Sequence, residues 1–280
     1  EIIQMLKRRL RLLGPDEVER VKRTNNLGRL RMILELKRDL RRKARLILQG
    51  FREPKEWDEG SVASPVAYPS SIRTLLFHSG ARSDIISTND VSVAFLQSNP
   101  YPSDQPSRYV GYKAYKESVE WVFELLGPIY GQRAASREWY TTISSWLISV
   151  GFNQCKNEPF LFINPSTGVK VIMYVDDLIV RGSPIESNKF HDQLEGRFDC
   201  REGSRQILTP NNPIDFTGLT LSMVKGVNVD YYYLDQSSAI AEFLITHNLD
   251  ECPIKECPMP DPKVLTRDPE LVGDELKSWC

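Results

Sequence analysis

A short hairpin in the second half of the chain constrains the fold more than any other feature. Two apolar, β-branched runs, 169–173 and 178–180, flank the tetrapeptide Tyr-Val-Asp-Asp at 174–177. The alternation of the first run and the brevity of the interruption predict two paired strands with Asp176 and Asp177 at their tip. Two carboxylates about 4 Å apart repel by about 4 kcal/mol at an effective dielectric near 20, so we expect a cation to neutralise them.

A third acidic side chain in a matching setting lies upstream. Residues 83–96 read as a strand that ends at Asp90 and turns into a short apolar segment. Sites that hold two divalent ions about 3.5–4 Å apart need several carboxylates, and Asp90 would complete such a cage with Asp176 and Asp177. The plain alternative is that Asp90 caps a helix and the Asp pair forms an ordinary acidic turn.

Positive charge is concentrated at the start of the chain, although the formal net charge of the 280 residues is −1. Residues 1–55 carry 17 Lys and Arg against seven Asp and Glu. Six basic residues crowd around a predicted turn: Lys37, Arg38, Arg41, Arg42, Lys43 and Arg45. Basic clusters of this kind favour phosphate contact through counterion release. For residues 1–24 a solvated helical face is an equal alternative.

Composition argues against several classes of protein. A hydrophobic content of 41% with 26% charged residues is ordinary for a globular domain. No run approaches the roughly 18–20 apolar residues of a membrane span, so no membrane partner is expected. Five cysteines, an odd number, argue against a secreted disulfide framework. The chain begins with Glu1 rather than Met, which suggests an internal piece of a longer polyprotein.

The remaining periodicity predicts strands and helices in alternation. Strands are predicted at 31–36, 44–48, 214–223 and 227–234, and helices at 70–80, 139–150, 184–198 and 238–247. Residues 97–120 show no clear periodicity, and the proline-rich tail from 252 reads as linker. A strand ending at Asp90, then helix, hairpin, helix and strand, is a βαββαβ-like order, which favours a sheet with helices on one face.

Six sequence blocks, taken in order, resemble the reverse transcriptases of the Ty1/copia retrotransposon class. The resemblance runs from about 29 to about 260. The blocks are Lys43-Ala44-Arg45-Leu46 with Gly50-Phe51; Ser64-Pro65-Val66-Ala67 with Ser71-Ile72-Arg73; Asp90-Val91 with Ala94-Phe95-Leu96; Tyr130-Gly131, Arg137 and Trp139-Tyr140; Gly151-Phe152; and Tyr174-Val175-Asp176-Asp177.

The fold that this resemblance implies is α+β, a right-hand polymerase palm with an antiparallel βαββαβ-like sheet and helices on one face. It implies the following division: 1–28 basic N-terminal extension, 29–83 fingers, 84–96 palm, 97–130 fingers insertion, 131–225 palm, and 226–280 start of the primer grip and thumb with a C-terminal linker.

The activity implied is RNA-directed DNA synthesis by nucleotidyl transfer with two Mg²⁺ ions, Mn²⁺ being the alternative metal. In this class of enzyme the residues corresponding to Asp90 and Asp176 bridge both ions, and the one corresponding to Asp177 supports the ion on the primer side. The main chain of Val91 is expected to supply a further ligand.

The resemblance also implies contacts to the incoming nucleotide. Phe95 would pack against the sugar and exclude a 2′-hydroxyl, with a plain core role as its alternative. The main-chain amides from Val91 to Ala94 would face the triphosphate, an arrangement that suits an anion. Either Lys43 or Arg45 would clamp the triphosphate, and the sequence leaves that choice open.

Contacts to primer and template are expected at five further positions. These are Tyr174 near the primer terminus, Arg41 and Arg42 at the basic turn, and Phe216 and Gly218 in a predicted primer-holding strand pair. The implied partners are an RNA or DNA template with its primer, deoxynucleoside triphosphates, and the ribonuclease H and integrase domains of the parent polyprotein. The implied location is a cytoplasmic virus-like particle, and also the nucleus.

One departure from the family pattern bears on activity. Where the family has a Gln that touches the incoming nucleotide, this chain has Ala134. Two other functions therefore stay open beside polymerisation. One is a degenerate copy that binds nucleic acid without extending primers, and the other is a nucleotidyltransferase that needs no template.

Overall fold

A computed structural model describes residues 2–24, 26–36, 42–57, 64, 67–77, 84–114, 120–227 and 230–252 of the protein. The chain divides into two compact units, Glu1–Asp235 and Gln236–Cys280. The helices are α1 Ile2–Arg9, α2 Pro15–Lys22, α3 Pro69–Phe77, α4 Ala135–Ser149, α5 Pro184–Arg197 and α6 Ser237–Thr246. The strands are β1 Leu10–Leu12, β2 Leu27–Leu36, β3 Arg42–Leu48, β4 Ile85–Asp90, β5 Arg108–Lys113, β6 Glu120–Leu125, β7 Asn153–Gln154, β8 Leu161–Ile163, β9 Lys170–Tyr174, β10 Asp177–Gly182, β11 Gln206–Ile207, β12 Ile214–Phe216, β13 Leu219–Lys225 and β14 Asp230–Asp235.

The centre of the first unit is a six-stranded sheet in the order β11-β4-β10-β9-β8-β7, with every pair antiparallel. The predicted hairpin is confirmed as β9 and β10, which pair from Tyr174↔Asp177 to Lys170↔Arg181. Val171, Ile172 and Met173 are all buried. Because successive side chains point to opposite faces of a strand, β9 is covered on both faces.

Helices α4 and α5 confirm the predicted helices after Tyr130 and after Ser183. Trp139, Ile143 and Leu147 recur at helical spacing along α4 and enter the main core. Gly151 follows α4 with a φ of 94°, a conformation that glycine adopts without strain. Ser183 accepts a hydrogen bond from the amide of Glu186 at 3.4 Å and so caps α5.

A five-stranded sheet has the order β1-β6-β5-β2-β3. The predicted N-terminal extension, 1–28, takes part in it, because β1 pairs with β6 from Leu10↔Leu125 to Leu12↔Phe123. Met5 and Leu10 are buried in the same cluster as Leu46 and Leu48 of β3. Within 97–120, where no periodicity was visible, lie β5 and the beginning of β6.

The five-stranded sheet meets the loop before α4 at two glycines. The amide of Leu48 donates to the carbonyl oxygen of Tyr130 at 2.8 Å. A Cβ atom on Gly131 would lie 2.2 Å from the carbonyl oxygen of Leu48, and one on Gly50 would lie 2.4 Å from that of Gly131. The Gly50-Phe51 and Tyr130-Gly131 blocks therefore mark a crossing of two backbones that no larger residue fits.

A three-stranded sheet, β12-β13-β14, replaces the two strands predicted between 214 and 234. The run 214–223 is interrupted because Thr217 and Gly218, both with positive φ, form a two-residue turn between Phe216 and Leu219. In the second unit α6 confirms the helix predicted at 238–247, and none of its residues is buried. Within the described ranges no helix is long and apolar enough to cross a membrane.

Candidate active site

The hairpin tip brings the three predicted carboxylates to one end of the six-stranded sheet. Asp177 is paired directly with Asp90 across β10 and β4, and residues paired in this way have Cβ atoms about 4.5–5.5 Å apart on the same face. The amide of Val91 donates to the carbonyl oxygen of Asp176 at 2.9 Å, which joins the tip of the hairpin to the end of β4.

Two carboxyl groups at the hairpin tip have a raised pKa. Loss of hydration, followed by repulsion from Asp176 and Asp90, raises the pKa of Asp177 to about 6. Loss of hydration and repulsion from Asp90 also raise the pKa of Asp176, while the positive charges of Arg201 and Lys43 act against that rise. The tip is therefore a concentrated negative charge that favours a cation.

The peptide groups of Asp90 are fixed by hydrogen bonds from the turn that follows α5. The amide of Asp90 donates to the Oδ1 of Asn89 at 2.9 Å and to the Oγ of Ser204 at 3.1 Å. Its carbonyl oxygen accepts from the amide of Arg201 at 2.8 Å. The carboxylate itself lies 3.2 Å from the Nη2 of Arg201.

A buried polar network lies on the other face of β4, beneath Asp90. His191 of α5 is 2.8 Å from the Oγ of Ser87 through its Nε2, and 3.4 Å from the Nδ2 of Asn89 through its Nδ1. Asn89 also donates to the Oε1 of Glu195 at 2.9 Å. Burial lowers the pKa of His191 to about 4, so the ring is neutral near pH 7. The network locks Asn89, which in turn holds the amide of Asp90.

Trp139 supports the hairpin from α4. Its indole Nε1 donates to the carbonyl oxygen of Val175 at 2.7 Å. Val175 has a φ of 58°, a left-handed conformation that is costly for a β-branched residue and needs support from its surroundings. The aromatic stripe of α4 is core, as expected, and one of its members also positions the acidic turn.

The segment after Asp90 differs in part from the expected nucleotide cradle. The amide of Val91 donates to Asp176, and that of Ser92 donates to the carbonyl oxygen of Asp199 at 2.9 Å. In this structure these two amides are thus engaged within the protein, and their contact with a triphosphate stays a prediction. Ala94 is buried and begins a short 3-10 helix, Ala94–Gln97.

Phe95 is half-buried, five residues after Asp90. Its ring meets that of Tyr130 edge-on, with centroids 5.4 Å apart. One side of the ring packs against the main core. This partial exposure is compatible with both a sugar contact and a packing role. The role of Phe95 as a gate, a side chain that excludes a 2′-hydroxyl, therefore stays a prediction.

The basic residues of β3 separate into two environments. Lys43 is half-buried, and its charge acts on the carboxylate of Asp176. The Nη1 of Arg45 lies 3.3 Å from the Oε2 of Glu35 across the β2–β3 pair. Arg42 is exposed at the start of β3, and Arg41 lies outside the described residues. Of the two residues expected to clamp a triphosphate, Lys43 is the one whose charge is felt at the acidic tip.

Among the expected primer contacts, one side chain is buried. Phe216 is 3% exposed and packs in the main core, so apolar burial on β12 accounts for its ring, and its role at the primer stays a prediction. Gly218 lies in the β12–β13 turn with a φ of 79°. Tyr174 is 37% exposed at the end of β9, beside the Asp pair.

Comparison with known proteins identifies the family. The family described as reverse transcriptase (RNA-dependent DNA polymerase) matches residues 25–209. The chain belongs to the reverse transcriptase family. The match spans the first unit from β2 to the end of the six-stranded sheet, including all three carboxylates.

Curated relatives of this reverse transcriptase chain are retrotransposon polyproteins. The retrovirus-related Pol polyprotein from transposon RE2 of Arabidopsis thaliana is 32% identical over 168 residues, 58% of this chain and 11% of the relative. The transposon Ty1-MR1 Gag-Pol polyprotein of Saccharomyces cerevisiae is 26% identical over 213 residues, 75% of this chain and 12% of the relative. The chain thus spans little more than a tenth of these relatives, and the Ty1/copia-class resemblance is confirmed.

A likeness to a solved structure is weaker. The structure of apo telomerase from Candida Tropicalis truncated from its C-terminal domain superposes with a TM-score of 0.49 and 12% identity, covering 79% of this chain and 56% of that one. The family assignment rests on the sequence relatives.

Ala134, the departure from the reverse transcriptase pattern, is buried at the start of α4. The neighbouring Gln132 does not replace the missing side chain, because it is buried and its amide is engaged. Its Nε2 donates to the hydroxyl of Tyr101 at 2.6 Å, and its Oε1 lies 3.4 Å from the amide of Ile129. The described site therefore offers no glutamine in place of the family's nucleotide contact.

The donor set suits a hard divalent cation. Carboxylate oxygens are the ligands that Mg²⁺ prefers, and the mutual repulsion of Asp90, Asp176 and Asp177 favours a cation between them. Among the described residues no three His, Cys, Asp or Glu side chains are already drawn together as a metal cage, so the three carboxylates suit a metal by their chemistry and would have to close around it. Asp90 is instead paired with Arg201.

Sequence reasoning missed the residues that support the site. Asn89, His191, Ser204 and Arg201 act on Asp90 from positions that share no sequence motif with it. Helical spacing identified Trp139 as core but not its bond to Val175.

Proposed function

We propose that this chain is the polymerase domain of a Ty1/copia-type retrotransposon and synthesises DNA on an RNA template. One observation carries the proposal: Asp90 and Asp177 are directly paired on neighbouring strands, with Asp176 at the hairpin tip, in a chain of the reverse transcriptase family. In the reaction the primer 3′-hydroxyl oxygen bonds to the α-phosphorus of a deoxynucleoside triphosphate, the bond to pyrophosphate breaks, and the hydroxyl loses its proton.

Asp90, Asp176 and Asp177 would hold the divalent ions, Mg²⁺ or Mn²⁺, with the main chain of Val91 as a further ligand. Bound there, the metal would lower the pKa of the primer hydroxyl and neutralise the leaving phosphates. The paired register of β4 and β10 keeps two of the carboxylates on one face. Trp139 and the network around Asn89 keep the turn and Asp90 in place.

Lys43 binds the triphosphate, since its charge is directed at the acidic tip while Arg45 is engaged with Glu35. Phe95 borders the sugar and excludes a 2′-hydroxyl. Tyr174 borders the primer terminus. The exposed Arg42, together with Arg41, contacts the template or primer backbone by neutralising phosphates.

The same proposal assigns the parts of the fold and the partners. The palm consists of 84–96 and 131–225, and the fingers consist of 29–83 and 97–130 together with β1. Residues 226–280 begin the primer grip and thumb. The partners are primed RNA or DNA and deoxynucleoside triphosphates, with ribonuclease H and integrase domains on the parent polyprotein. The place of action is a cytoplasmic virus-like particle, and also the nucleus.

Extension of primed poly(rA) with dTTP and Mg²⁺ tests the proposal. Product that depends on template supports it. Absence of product favours the degenerate nucleic-acid-binding copy, the second candidate, which the loss of the family's glutamine at Ala134 supports. Addition without template would indicate a template-independent nucleotidyltransferase.

Two variants sharpen the assay. Asp90→Asn preserves shape but removes a charge from the metal site, so extension should disappear while primer–template binding persists. Asp104→Asn, at an exposed turn, is the matched control and should extend like the parent. If Asp90→Asn extends the primer at the parent rate, the assignment of Asp90 as a metal ligand is refuted.

The gate assignment has a test of its own. Phe95→Val opens space beside the 2′ position and should permit ribonucleotide insertion while keeping deoxynucleotide activity. Unchanged discrimination in a folded, active variant would make Phe95 a core residue.

A further inference from the structure

Arg201 stands where a cation is expected. Its Nη2 atom lies 3.2 Å from the Oδ2 of Asp90. Its charge also lowers the pKa of Asp176 and of Asp177, against the effect of their neighbours. A single guanidinium thus acts on all three carboxylates of the candidate active site.

The main chain around Arg201 is held by hydrogen bonds, whereas its side chain is largely exposed. The Arg201 amide donates to the carbonyl oxygen of Asp90 at 2.8 Å. The main chain of Cys200 pairs with that of Val91 in an isolated antiparallel β-bridge. Ser204, three residues later, accepts from the amide of Asp90. The side chain of Arg201 is nevertheless 67% exposed, against 17% for that of Asp90. The guanidinium can therefore leave the carboxylate while the turn stays in place.

We propose that Arg201 is an internal counterion of the metal site, which neutralises Asp90 in the free protein and is displaced when a divalent cation binds. The inference rests on the proposed function, because it takes Asp90 as a metal ligand. The protein would then keep its acidic site neutralised when the metal is absent, and the guanidinium would compete with the metal.

The expected competition is modest. An ion pair with a largely exposed arginine contributes at most about a fivefold factor to an equilibrium. A divalent ion carries twice the charge of the guanidinium and binds carboxylates with little directional demand on them, so it should prevail. Removing the arginine charge should therefore tighten metal binding by up to about fivefold without altering the turn, which holds Asp90 through the Arg201 amide and the Ser204 hydroxyl.

Binding of Mn²⁺ to the purified chain, followed by the paramagnetic signal of the free ion, tests the inference without any need for activity. Arg201→Gln should bind Mn²⁺ more tightly than the parent, by up to about fivefold, and Arg201→Lys, which keeps the charge, should bind like the parent. Arg205→Gln is the matched control. Arg205 lies four residues away and pairs with Asp192 and Glu195, so its loss should leave Mn²⁺ affinity unchanged.

Distinct outcomes separate this inference from the proposed function. Equal affinity of the parent and Arg201→Gln, with binding abolished by Asp176→Asn, overturns the counterion and leaves the metal site standing. Weaker binding by Arg201→Gln, in a variant that melts like the parent in EDTA, also overturns it. Saturable binding by none of the proteins refutes the metal site and the counterion together. Tightening by Arg205→Gln to the same extent would mean that only general surface charge is at work.

Discussion

Acidification should weaken the fold through the network beneath Asp90. His191 is 1% exposed, and burial lowers the pKa of its imidazole to about 4, against about 6.5 in an unfolded chain. The charged groups that face it are Arg205, which lowers the pKa further, Asp192, which raises it, and Glu195, reached through Asn89.

The direction of the effect follows from proton counting. Between about pH 6.5 and about pH 4 the unfolded chain binds a proton on His191 that the folded chain does not, so stability decreases as the pH falls. From about pH 7.5 to about pH 5, the free energy of unfolding should drop by about 2 kcal/mol through this residue alone. Protonation would also place a charge against the buried Asn89 amide.

Urea unfolding of the parent and of His191→Gln, followed at several pH values, measures this contribution. Glutamine can bond to Ser87 and Asn89 but does not titrate, so the difference in unfolding free energy between the two proteins should narrow by about 2 kcal/mol between about pH 7.5 and about pH 5. Lys189→Gln, on the same helix, controls for the charge of the helix. Its unfolding free energy should differ from that of the parent by the same amount at every pH. A His191→Gln difference that stays constant, or widens in acid, would refute the neutral buried histidine.

Three further changes test the supports of the site. Trp139→Phe keeps the ring but leaves the hairpin carbonyl without its donor, and should cost about 1–3 kcal/mol in urea unfolding together with a loss of primer extension; unchanged stability would contradict the bond. Arg9→Met removes a buried guanidinium that donates to the Leu96 carbonyl oxygen at 2.8 Å, and should lower the free energy of unfolding by more than about 1.5 kcal/mol. The surface change Arg8→Met should lower it by less than about 1 kcal/mol. Equal losses of stability in the two variants would contradict the difference in burial. Gly131→Ala should reduce the melting temperature far more than Gly168→Ala, because both have positive φ but a Cβ meets backbone only at the first; similar melting temperatures would refute the backbone crossing.

Local patterns predicted the parts of the site that lie on one continuous stretch of chain. A periodic pattern of apolar residues is visible in three places: around 169–180, in the strand that ends at Asp90, and in the helix that contains Trp139. The six-stranded sheet and the meeting of three carboxylates follow from these elements and from the family order. For this reason the centre of the fold was predictable without coordinates.

Contacts with distant parts of the chain decide the features that the sequence did not predict. β5 is a strand because β6 and β2 bond to it on either side, and its own residues, flanked by Pro, Ser and Tyr, alternate too weakly to reveal it. The burial of the Phe216 ring was not predicted, because a Phe-x-Gly pattern does not say which way the ring points. The pairing of Arg201 with Asp90 joins residues far apart in sequence, and spacing alone carries no signal for it.

The register of the central sheet has a consequence for the order in which the protein is made. Asp90 pairs with Asp177, and Leu10 with Leu125, so neither sheet is complete until distant parts of the chain have left the ribosome. Contacts of such long range are slow to form, because the entropy of closing a large loop is lost before packing compensates for it. The hairpin of β9 and β10 is local and can form within microseconds. A growing chain that ends before α5 therefore carries Asp90 without the turn that holds it, and the site can take shape only after that turn has been made.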